Sequence, residues 1–415
     1  MTQINNVVSL ARQGNVSVIT LNNPPVNALS HPLREGLLNA IVQAGQDKDS
    51  AAVVIVCEGQ TFIAGADITE FGKPPKDPRI NAVIAAIEDC PQPVVAAMHG
   101  TVLGGGLELA LGCHYRVAVP SARFGFPEVN LGIIPGAGGT QRLPRIVGVE
   151  RAIEMITSAN QVSAAQALDA GLIDEVVQGD LLPAAVAFAQ KLVADKRPLK
   201  RVRDRDEKLA PARGNTELFA KARKDVARKV RGLRAPLAAI DAIEAAVNLP
   251  FDQSLARERE IVMGEVGSDQ SKALRYFFFA ERESAKIPGI DTSNQPKVQQ
   301  AFKSGAGVWV TMGFIGLIGL AFAGADIGSS GSFGGVAGGD VAVQQRADAL
   351  LGAAQRLSLL LQVRRVPPRR PLHPHRRLPR RPLRRRRSQA GGRDVGAEFR
   401  IFGGEVGAER LEKPY

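Results

Sequence analysis

Cysteines and aromatic residues are both scarce in this sequence of 415 residues. The three cysteines, Cys57, Cys90 and Cys113, lack the spacing of a metal site or a disulfide framework, so we expect buried thiols in a reducing compartment. The N-terminus lacks the basic and apolar regions of a signal peptide, and we therefore predict a cytoplasmic protein. Glycine and alanine are abundant, which favours a tightly packed α/β protein.

Acidic residues are absent from one stretch near the C-terminus, from Arg364 to Arg387, which holds twelve arginines. Without this stretch the net charge of +12 falls to about neutral, so the rest of the chain has no basic surface for nucleic acid. The stretch itself lacks the interleaved aromatic residues that stack on bases. We expect no specific nucleic-acid partner, and His373 and His375 alone do not make a metal site.

Short β-branched runs alternate with a helical pattern in the first 120 residues. Residues 16–21, 52–57, 93–98 and 115–119 have the composition of strands, and the run 52–57 is almost continuously apolar. A strand without polar positions is buried on both faces, as in parallel sheets. With a helix predicted over 32–46, entered near Ser30 or His31, this succession predicts an α/β fold with a layered, mostly parallel sheet.

The remaining chain divides by composition. Residues 149–190 are predicted to be mainly helical, with a last short strand at 172–177. A charged helical pattern follows to about residue 286, and Pro288 and Gly289 end it. We therefore assign a domain to residues 1–190, a helical linker to 191–290, a further fragment to 291–330 and a low-complexity, Arg/Pro-rich tail, expected to be disordered, to 331–415.

Three glycines precede a helical run in Leu103-Gly104-Gly105-Gly106-Leu107-Glu108. Glycines allow a sharp turn and a close approach to a ligand, and the first amides of a helix lack internal partners. Such an amide can stabilise a developing oxyanion. Glu108 lies in the first helical turn, where the helix dipole favours the ionised carboxylate, so we predict a general base or a residue that orients water.

A second glutamate follows twenty positions later. Glu128 stands between Pro127 and a Leu-Gly-Ile-Ile run, and apolar surroundings would raise its pKa, which suits a proton donor. Two carboxylates in different surroundings can divide acid and base work. The next Gly-rich segment, 134–140, predicts another helix start, whose amides could bind water or phosphate.

The segment Thr61-Phe62-Ile63-Ala64-Gly65-Ala66-Asp67-Ile68 follows the predicted buried strand 52–57. Together with the two glutamate motifs, and in the same order, it resembles the crotonase family and within it the enoyl-CoA hydratases. The resemblance covers about residues 5–190 and implies a crotonase-like ββα spiral. It also implies an acyl-CoA thioester substrate and is compatible with a homo-oligomer or a thiolase partner, whereas the linker helices of bifunctional relatives also allow a monomer.

The resemblance also implies roles for particular residues. Ala66 and Gly105 match the two backbone N–H groups of an oxyanion hole around the thioester carbonyl. Glu108 and Glu128 match the catalytic pair, and Gly136 matches a residue that helps to fix the catalytic water. The segment Ala64, Gly65, Asp67 and Ile68 matches the backbone that holds the CoA moiety.

Both glutamates are present, which favours hydration of trans-2-enoyl-CoA to L-3-hydroxyacyl-CoA in fatty-acid β-oxidation. Neither a metal nor a redox cofactor is required for that reaction, and CoA is part of the substrate. Isomerisation of Δ3- to Δ2-enoyl-CoA, alone or beside hydration, remains an alternative. A catalytically inactive binding or regulatory module is a further one.

The region beyond residue 190 resembles the linker and the dehydrogenase start of bifunctional hydratase–dehydrogenases. Gly305-Ala306-Gly307 and Thr311-Met312-Gly313 are like pieces of a Rossmann-type dinucleotide loop, but three residues separate them and G-x-G-x-x-G is not intact. We therefore predict no dehydrogenase activity, and NAD only if the C-terminal half were functional. A change of reading frame shortly after Thr311 would explain the Arg/Pro-rich tail.

The apolar run 308–325 is long enough to be considered as a membrane span. An arginine-rich block follows it, as a positive-inside argument for an anchor would require. Its last half is rich in glycine and alanine, and it stands where a buried dinucleotide-binding strand and helix would belong. We therefore expect no membrane span.

Overall fold

A computed structural model describes residues 1–70 and 73–284 of the chain, with side chains up to residue 280. The predicted dinucleotide-binding fragment at 291–330, the tail at 331–415 and the apolar run at 308–325 lie outside the described residues, as does the end of the predicted linker. Cys57, Cys90 and Cys113 are buried free thiols, as predicted.

Ten strands occur within the described residues, and the four strands predicted from composition are among them. The strands are β1 Thr2–Asn5, β2 Val8–Gln13, β3 Val16–Leu21, β4 Ala52–Cys57, β5 Val94–Met98, β6 Thr101–Leu103, β7 Tyr115–Ala118, β8 Arg123–Gly125, β9 Val162–Ser163 and β10 Glu175–Val176. The bounds of β3 and β4 agree with the prediction, whereas β10 is shorter than the predicted strand at 172–177.

The same part of the chain contains eleven α-helices. They are α1 His31–Gln46, α2 Ile80–Glu88, α3 Gly105–Gly112, α4 Gly139–Val147, α5 Val149–Ser158, α6 Ala164–Asp169, α7 Leu181–Ala194, α8 Thr216–Lys229, α9 Ala235–Asn248, α10 Phe251–Gly267 and α11 Asp269–Ser284. Ser30 precedes α1, as predicted, and Ser163 caps α6 in a reciprocal arrangement with Gln166.

A seven-stranded sheet in the order β1-β2-β3-β4-β5-β7-β10 forms the centre of the fold. The strands from β3 to β10 pair in parallel, and the β1-β2-β3 meander adds antiparallel pairs at one edge. All six residues of β4 are buried. Val53, Ile55 and Cys57 face one hydrophobic core and Ala52, Val54 and Val56 face another, which explains the continuous apolar run.

A second, smaller sheet has the strand order β6-β8-β9, and all three of its strands follow β5 in the sequence. Its strand β6 runs parallel to β8, and β6 leads directly into the glycine turn before α3. The turn with Glu128 follows β8. The pairing of β6 with β8 therefore brings the two glutamate motifs to the same end of one small sheet.

The helices after residue 190 share one hydrophobic core with the residues before it. Phe219 of α8 and Ile240 and Ile243 of α9 are buried in the same cluster as Ile55 of β4. The predicted boundary at 190 also falls within α7. The described helices of the predicted linker 191–290 therefore pack onto the α/β core, and the domain boundaries themselves stay predictions.

Candidate active site

Two glycines of the triplet allow close approaches at the start of α3. Gly104 has a φ of 51°, and a Cβ atom there would lie 2.6 Å from Oε1 of Glu128. A Cβ on Gly106 would overlap the carbonyl oxygen of Ile63. The Gly104 N–H donates to the carbonyl of Gly125 over 3.0 Å, which ties the turn to β8. The triplet thus allows close approaches within the protein, and the predicted approach to a ligand stays a prediction.

Ala66 and Gly105, the predicted oxyanion donors, lie side by side. A Cβ on Gly105 would lie 3.6 Å from the backbone nitrogen of Ala66. The segment that carries Ala66 is held by hydrogen bonds from Leu103 N–H to Ile63 O over 3.1 Å and from Leu29 N–H to Gly65 O over 3.0 Å. Ala66 itself is exposed, so a substrate carbonyl can reach this position.

Some hydrogen-bonding groups of the predicted CoA-binding segment already have partners within the protein. The Ala64 N–H donates to Val26 O over 3.2 Å, so a ligand contact at Ala64 falls to its carbonyl oxygen. The Asp67 carboxylate accepts from the backbone N–H and the hydroxyl of Thr69 over 2.9 and 2.8 Å. Asp67 therefore caps the 3-10 turn Ile68–Glu70, in which Ile68 is half-buried.

Glu108 is the fourth residue of α3 and is only 4% exposed. Its Oε1 accepts hydrogen bonds from the N–H groups of Ala137 and Gly139 over 2.7 and 2.8 Å. Burial raises the pKa of Glu108, and these two donors and the charge of Arg142 lower it by less. Burial thus acts against the ionisation that the helix dipole was predicted to favour, and the role of Glu108 as a base stays a prediction.

Glu128 begins the 3-10 turn Glu128–Leu131 after β8. Its Oε1 lies against Gly104, and its buried Oε2 has no hydrogen-bond partner within the described residues. Burial raises the pKa of Glu128 well above its ordinary value, and the nearby charge of Glu108 raises it further. The raised pKa predicted from the apolar surroundings is confirmed, and the charge of Glu108 is an additional cause.

At the predicted helix start in 134–140, backbone N–H groups donate hydrogen bonds to carboxylates. The four successive N–H groups from Ala137 to Thr140 alternate: Ala137 and Gly139 donate to Glu108, whereas Gly138 and Thr140 donate to Glu258 over 2.7 and 3.2 Å. The amides from 137 to 140 are therefore already used by carboxylates, and the predicted role of Gly136 in fixing water stays a prediction. Gly136 is half-buried against α10, and a Cβ there would lie 3.0 Å from Cγ2 of Val262.

Glu258 was not identified from the sequence. It is fully buried on α10, and besides the two N–H groups its Oε2 accepts from the hydroxyl of Thr140. Burial raises the pKa of Glu258 to about 8, and the charge of Glu108 raises it as well. The sequence offered no signal for it, because Ser254, Glu258 and Glu265 are polar residues whose burial on α10 comes from tertiary packing.

Arg142 of α4 brings the positive charge closest to this cluster. Its guanidinium donates to both carboxylate oxygens of Glu88 over 2.8 and 2.7 Å and to Ala137 O over 3.1 Å. Because Arg142 forms a buried ion pair with Glu88, its charge only partly offsets the three site glutamates. The site is thus rich in buried carboxylates whose pKa values are raised by burial.

The raised pKa values predict a loss of stability as the pH rises. An unfolded glutamate loses its proton near pH 4.5, whereas folded Glu258 keeps it to about 8, so the folded state binds more protons between these values. His114 acts in the opposite sense, because burial lowers its pKa from 6.5 to about 4, but above pH 6.5 it is neutral in both states. We expect the midpoint temperature of thermal unfolding to fall as the pH is raised from about 6.5 to about 8.5. A midpoint that rises over this range would contradict the assignment.

Within residues 1–70 and 73–284, no cluster of three or more His, Cys, Asp or Glu side chains has the geometry to hold a metal ion. The same part of the chain contains no helix that is both long and apolar enough to cross a membrane.

The site at the start of α3 offers two adjacent backbone donors, an accessible approach at Ala66 and two carboxylates with different hydrogen bonding. It can polarise a carbonyl and transfer protons beside it.

This arrangement is typical of proteins that can stabilise an oxyanion and move protons with paired carboxylates. A family model described as enoyl-CoA hydratase/isomerase matches residues 11–223. The chain belongs to the enoyl-CoA hydratase/isomerase family, and the resemblance to the crotonase family is confirmed.

Similar proteins include the peroxisomal bifunctional enzymes of Danio rerio, 44% identical over 271 residues, and of Homo sapiens, 40% identical over 272 residues. Each match covers 65% of this chain and 37% of the relative. The peroxisomal fatty acid beta-oxidation multifunctional protein MFP2 of Arabidopsis thaliana is 37% identical over 285 residues, which is 66% of this chain and 39% of that protein. The chain thus spans less than two fifths of the length of these relatives.

Among solved structures, an enoyl-CoA hydratase/isomerase from Pseudoalteromonas atlantica has a TM-score of 0.50 and 22% identity. The match covers 69% of this chain and 100% of that structure. At this identity the likeness concerns the fold alone, and the prediction of a crotonase-like α/β fold is confirmed.

Proposed function

We propose that this chain hydrates trans-2-enoyl-CoA to 3-hydroxyacyl-CoA in fatty-acid β-oxidation. The observation that supports this best is the pair of buried carboxylates with unequal hydrogen bonding. Glu108 accepts two backbone N–H groups, whereas Oε2 of Glu128 has no partner within the described residues. Donors lower the pKa of Glu108 relative to that of Glu128, so Glu108 is the better base and Glu128 the better acid.

In this mechanism the N–H groups of Ala66 and Gly105 donate to the thioester carbonyl oxygen and polarise the conjugated double bond. Each such donor contributes roughly 3–4 kcal/mol to the stabilisation of the enolate. A water molecule attacks C3, Glu108 takes one of its protons, and Glu128 delivers its proton to C2. Transfer of a proton from Glu108 to Glu128 then restores the starting charges, so no redox cofactor or metal is required.

The water lies between the two glutamates in this proposal, and Gly136 contributes to its placement through the turn that begins there. The CoA moiety contacts the backbone from Ala64 to Ile68, with Gly65 and Asp67 shaping the turn rather than supplying charge. Asp67 fits this role because its carboxylate already accepts two hydrogen bonds from Thr69.

The relatives are named bifunctional or multifunctional, and the chain covers less than two fifths of their length. We propose that dehydrogenase activity and NAD binding are absent here, because the glycine motif near residue 305 is interrupted. The relatives' names refer to peroxisomes, which gives no support to the predicted cytoplasmic location. We propose only that the chain acts where β-oxidation takes place; association with a second copy or a thiolase stays a proposal.

The first test is turnover of crotonyl-CoA by the whole chain, followed by the loss of enoyl-thioester absorbance. We expect rapid loss of absorbance and no NADH after NAD is added. A separate assay supplies a 3-enoyl-CoA, which is the substrate for isomerisation. Isomerisation of the 3-enoyl-CoA without hydration of crotonyl-CoA would replace the proposal by the isomerase alternative. A folded chain inactive on both substrates would favour a non-catalytic module, and formation of NADH would contradict the predicted loss of the dehydrogenase.

A further inference from the structure

Glu258 shares one short turn with Glu108, although it lies on a helix outside the family-model match at residues 11–223. The N–H groups of Gly138 and Thr140 donate to Glu258, and those of the alternating residues Ala137 and Gly139 donate to Glu108. We infer that Glu258 is a positioning residue for the proposed hydration: it holds the 137–140 turn from α10 so that the other two amides fix the carboxylate of Glu108.

The turn needs an acceptor on each of its two sides. Successive N–H groups point in alternating directions, so Glu108 alone can satisfy only two of the four buried donors. Unsatisfied buried N–H groups are costly, and a turn that rotates to find other partners would also withdraw the amides from Glu108. Gly138, with a φ of 93°, and the hydroxyl of Thr140 adapt the turn to the carboxylate of Glu258.

Glu258 also acts on the proton donor through its charge. The charged groups around it are Glu108 on α3, Glu128 on the turn after β8 and Arg142 on α4, which is paired with Glu88. A negative charge on Glu258 raises the pKa of Glu128, so it extends the pH range in which Glu128 holds its proton. This role rests on the proposed function, because it matters only if Glu128 donates that proton.

The test is the pH profile of kcat for crotonyl-CoA in the whole chain and in Glu258→Gln. Glutamine removes the charge and turns one acceptor oxygen into a donor that faces Thr140. We expect kcat at its optimum to fall by about tenfold, with KM within about twofold. We also expect the alkaline limb to move to lower pH by about one unit, because loss of a like charge lowers the pKa of Glu128.

Glu265→Gln is the matched control, because Glu265 is a buried carboxylate on the same helix that pairs instead with Arg234 over 3.0 Å. Its alkaline limb should remain that of the wild type even if stability changes.

Thr140→Val provides a second variant should Glu258→Gln fail to fold. It removes a donor to Glu258, raises the pKa of that carboxyl and so reduces its charge, which moves the alkaline limb in the same direction by a smaller amount.

A folded Glu258→Gln protein with the kcat and alkaline limb of the wild type would overturn the positioning role while leaving the proposed function intact. The same holds for Thr140→Val if it is the variant that folds. A wild-type chain without hydratase turnover would overturn the proposed function and the positioning role with it. A lower kcat with an unmoved limb in both Glu258→Gln and Glu265→Gln would indicate damage to packing, and would also overturn the role.

Discussion

Glu128→Gln is expected to lower kcat for hydration by about three orders of magnitude, with little change in the fold. The amide of glutamine cannot deliver a proton to C2, although it occupies nearly the same volume against Gly104. The same substitution should raise the thermal midpoint at pH 8, because burial makes the ionised carboxylate of Glu128 unfavourable and glutamine carries no charge. The measurements are steady-state turnover of crotonyl-CoA and thermal unfolding at pH 8.

Glu260→Gln is a suitable control, because Glu260 is an exposed residue of α10 that pairs with Arg257 at the surface. It should change neither kcat nor the midpoint appreciably, since exposed ion pairs contribute little. Near-normal turnover by Glu128→Gln would contradict the assignment of Glu128 as the proton donor. A lower midpoint at pH 8 would contradict the raised pKa, even if turnover were lost.

Local patterns in the sequence were sufficient for the central strands and for the two glutamates. β4 could be recognised because both of its faces are buried, which leaves six consecutive apolar residues. Glu108 and Glu128 could be recognised because glycines beside them signal close approaches of the backbone, and Gly104 indeed lies against Glu128. These features depend on residues that are near each other in the chain.

Features that depend on distant contacts could not be predicted in the same way. Glu258 meets Gly138 across 120 positions of sequence, and its neighbours Arg257, Arg259 and Glu260 are typical of a solvated helix face. The burial of Glu108, which raises its pKa, likewise comes from tertiary packing rather than from its own helix. The helices beyond residue 190 were taken for a linker from their charged pattern and their resemblance to bifunctional relatives, although residues of α8 and α9 lie in the core.

Gly106→Ala should cost about 3 kcal/mol of stability and reduce kcat by about 100-fold. A Cβ at this position would overlap the carbonyl oxygen of Ile63 and lie 2.7 Å from its Cβ, so the 63–66 segment must move. That segment carries Ala66, one of the two proposed oxyanion donors, and its carbonyl at Ile63 accepts from Leu103. Urea unfolding and turnover of crotonyl-CoA measure the two effects.

Gly264→Ala separates this steric effect from the general effect of alanine in a helix. Gly264 lies on the exposed side of α10, and a Cβ there would meet no described atom within 4 Å. Alanine is preferred to glycine inside helices, so this variant should gain about 0.5–1 kcal/mol and keep its activity. If Gly106→Ala were as stable and active as Gly264→Ala, the approach of α3 to Ile63 would be looser than described, and Ala66 would not depend on it for its position. A destabilised Gly106→Ala protein with full turnover would instead retain the packing role of Gly106 and remove its link to the oxyanion donor.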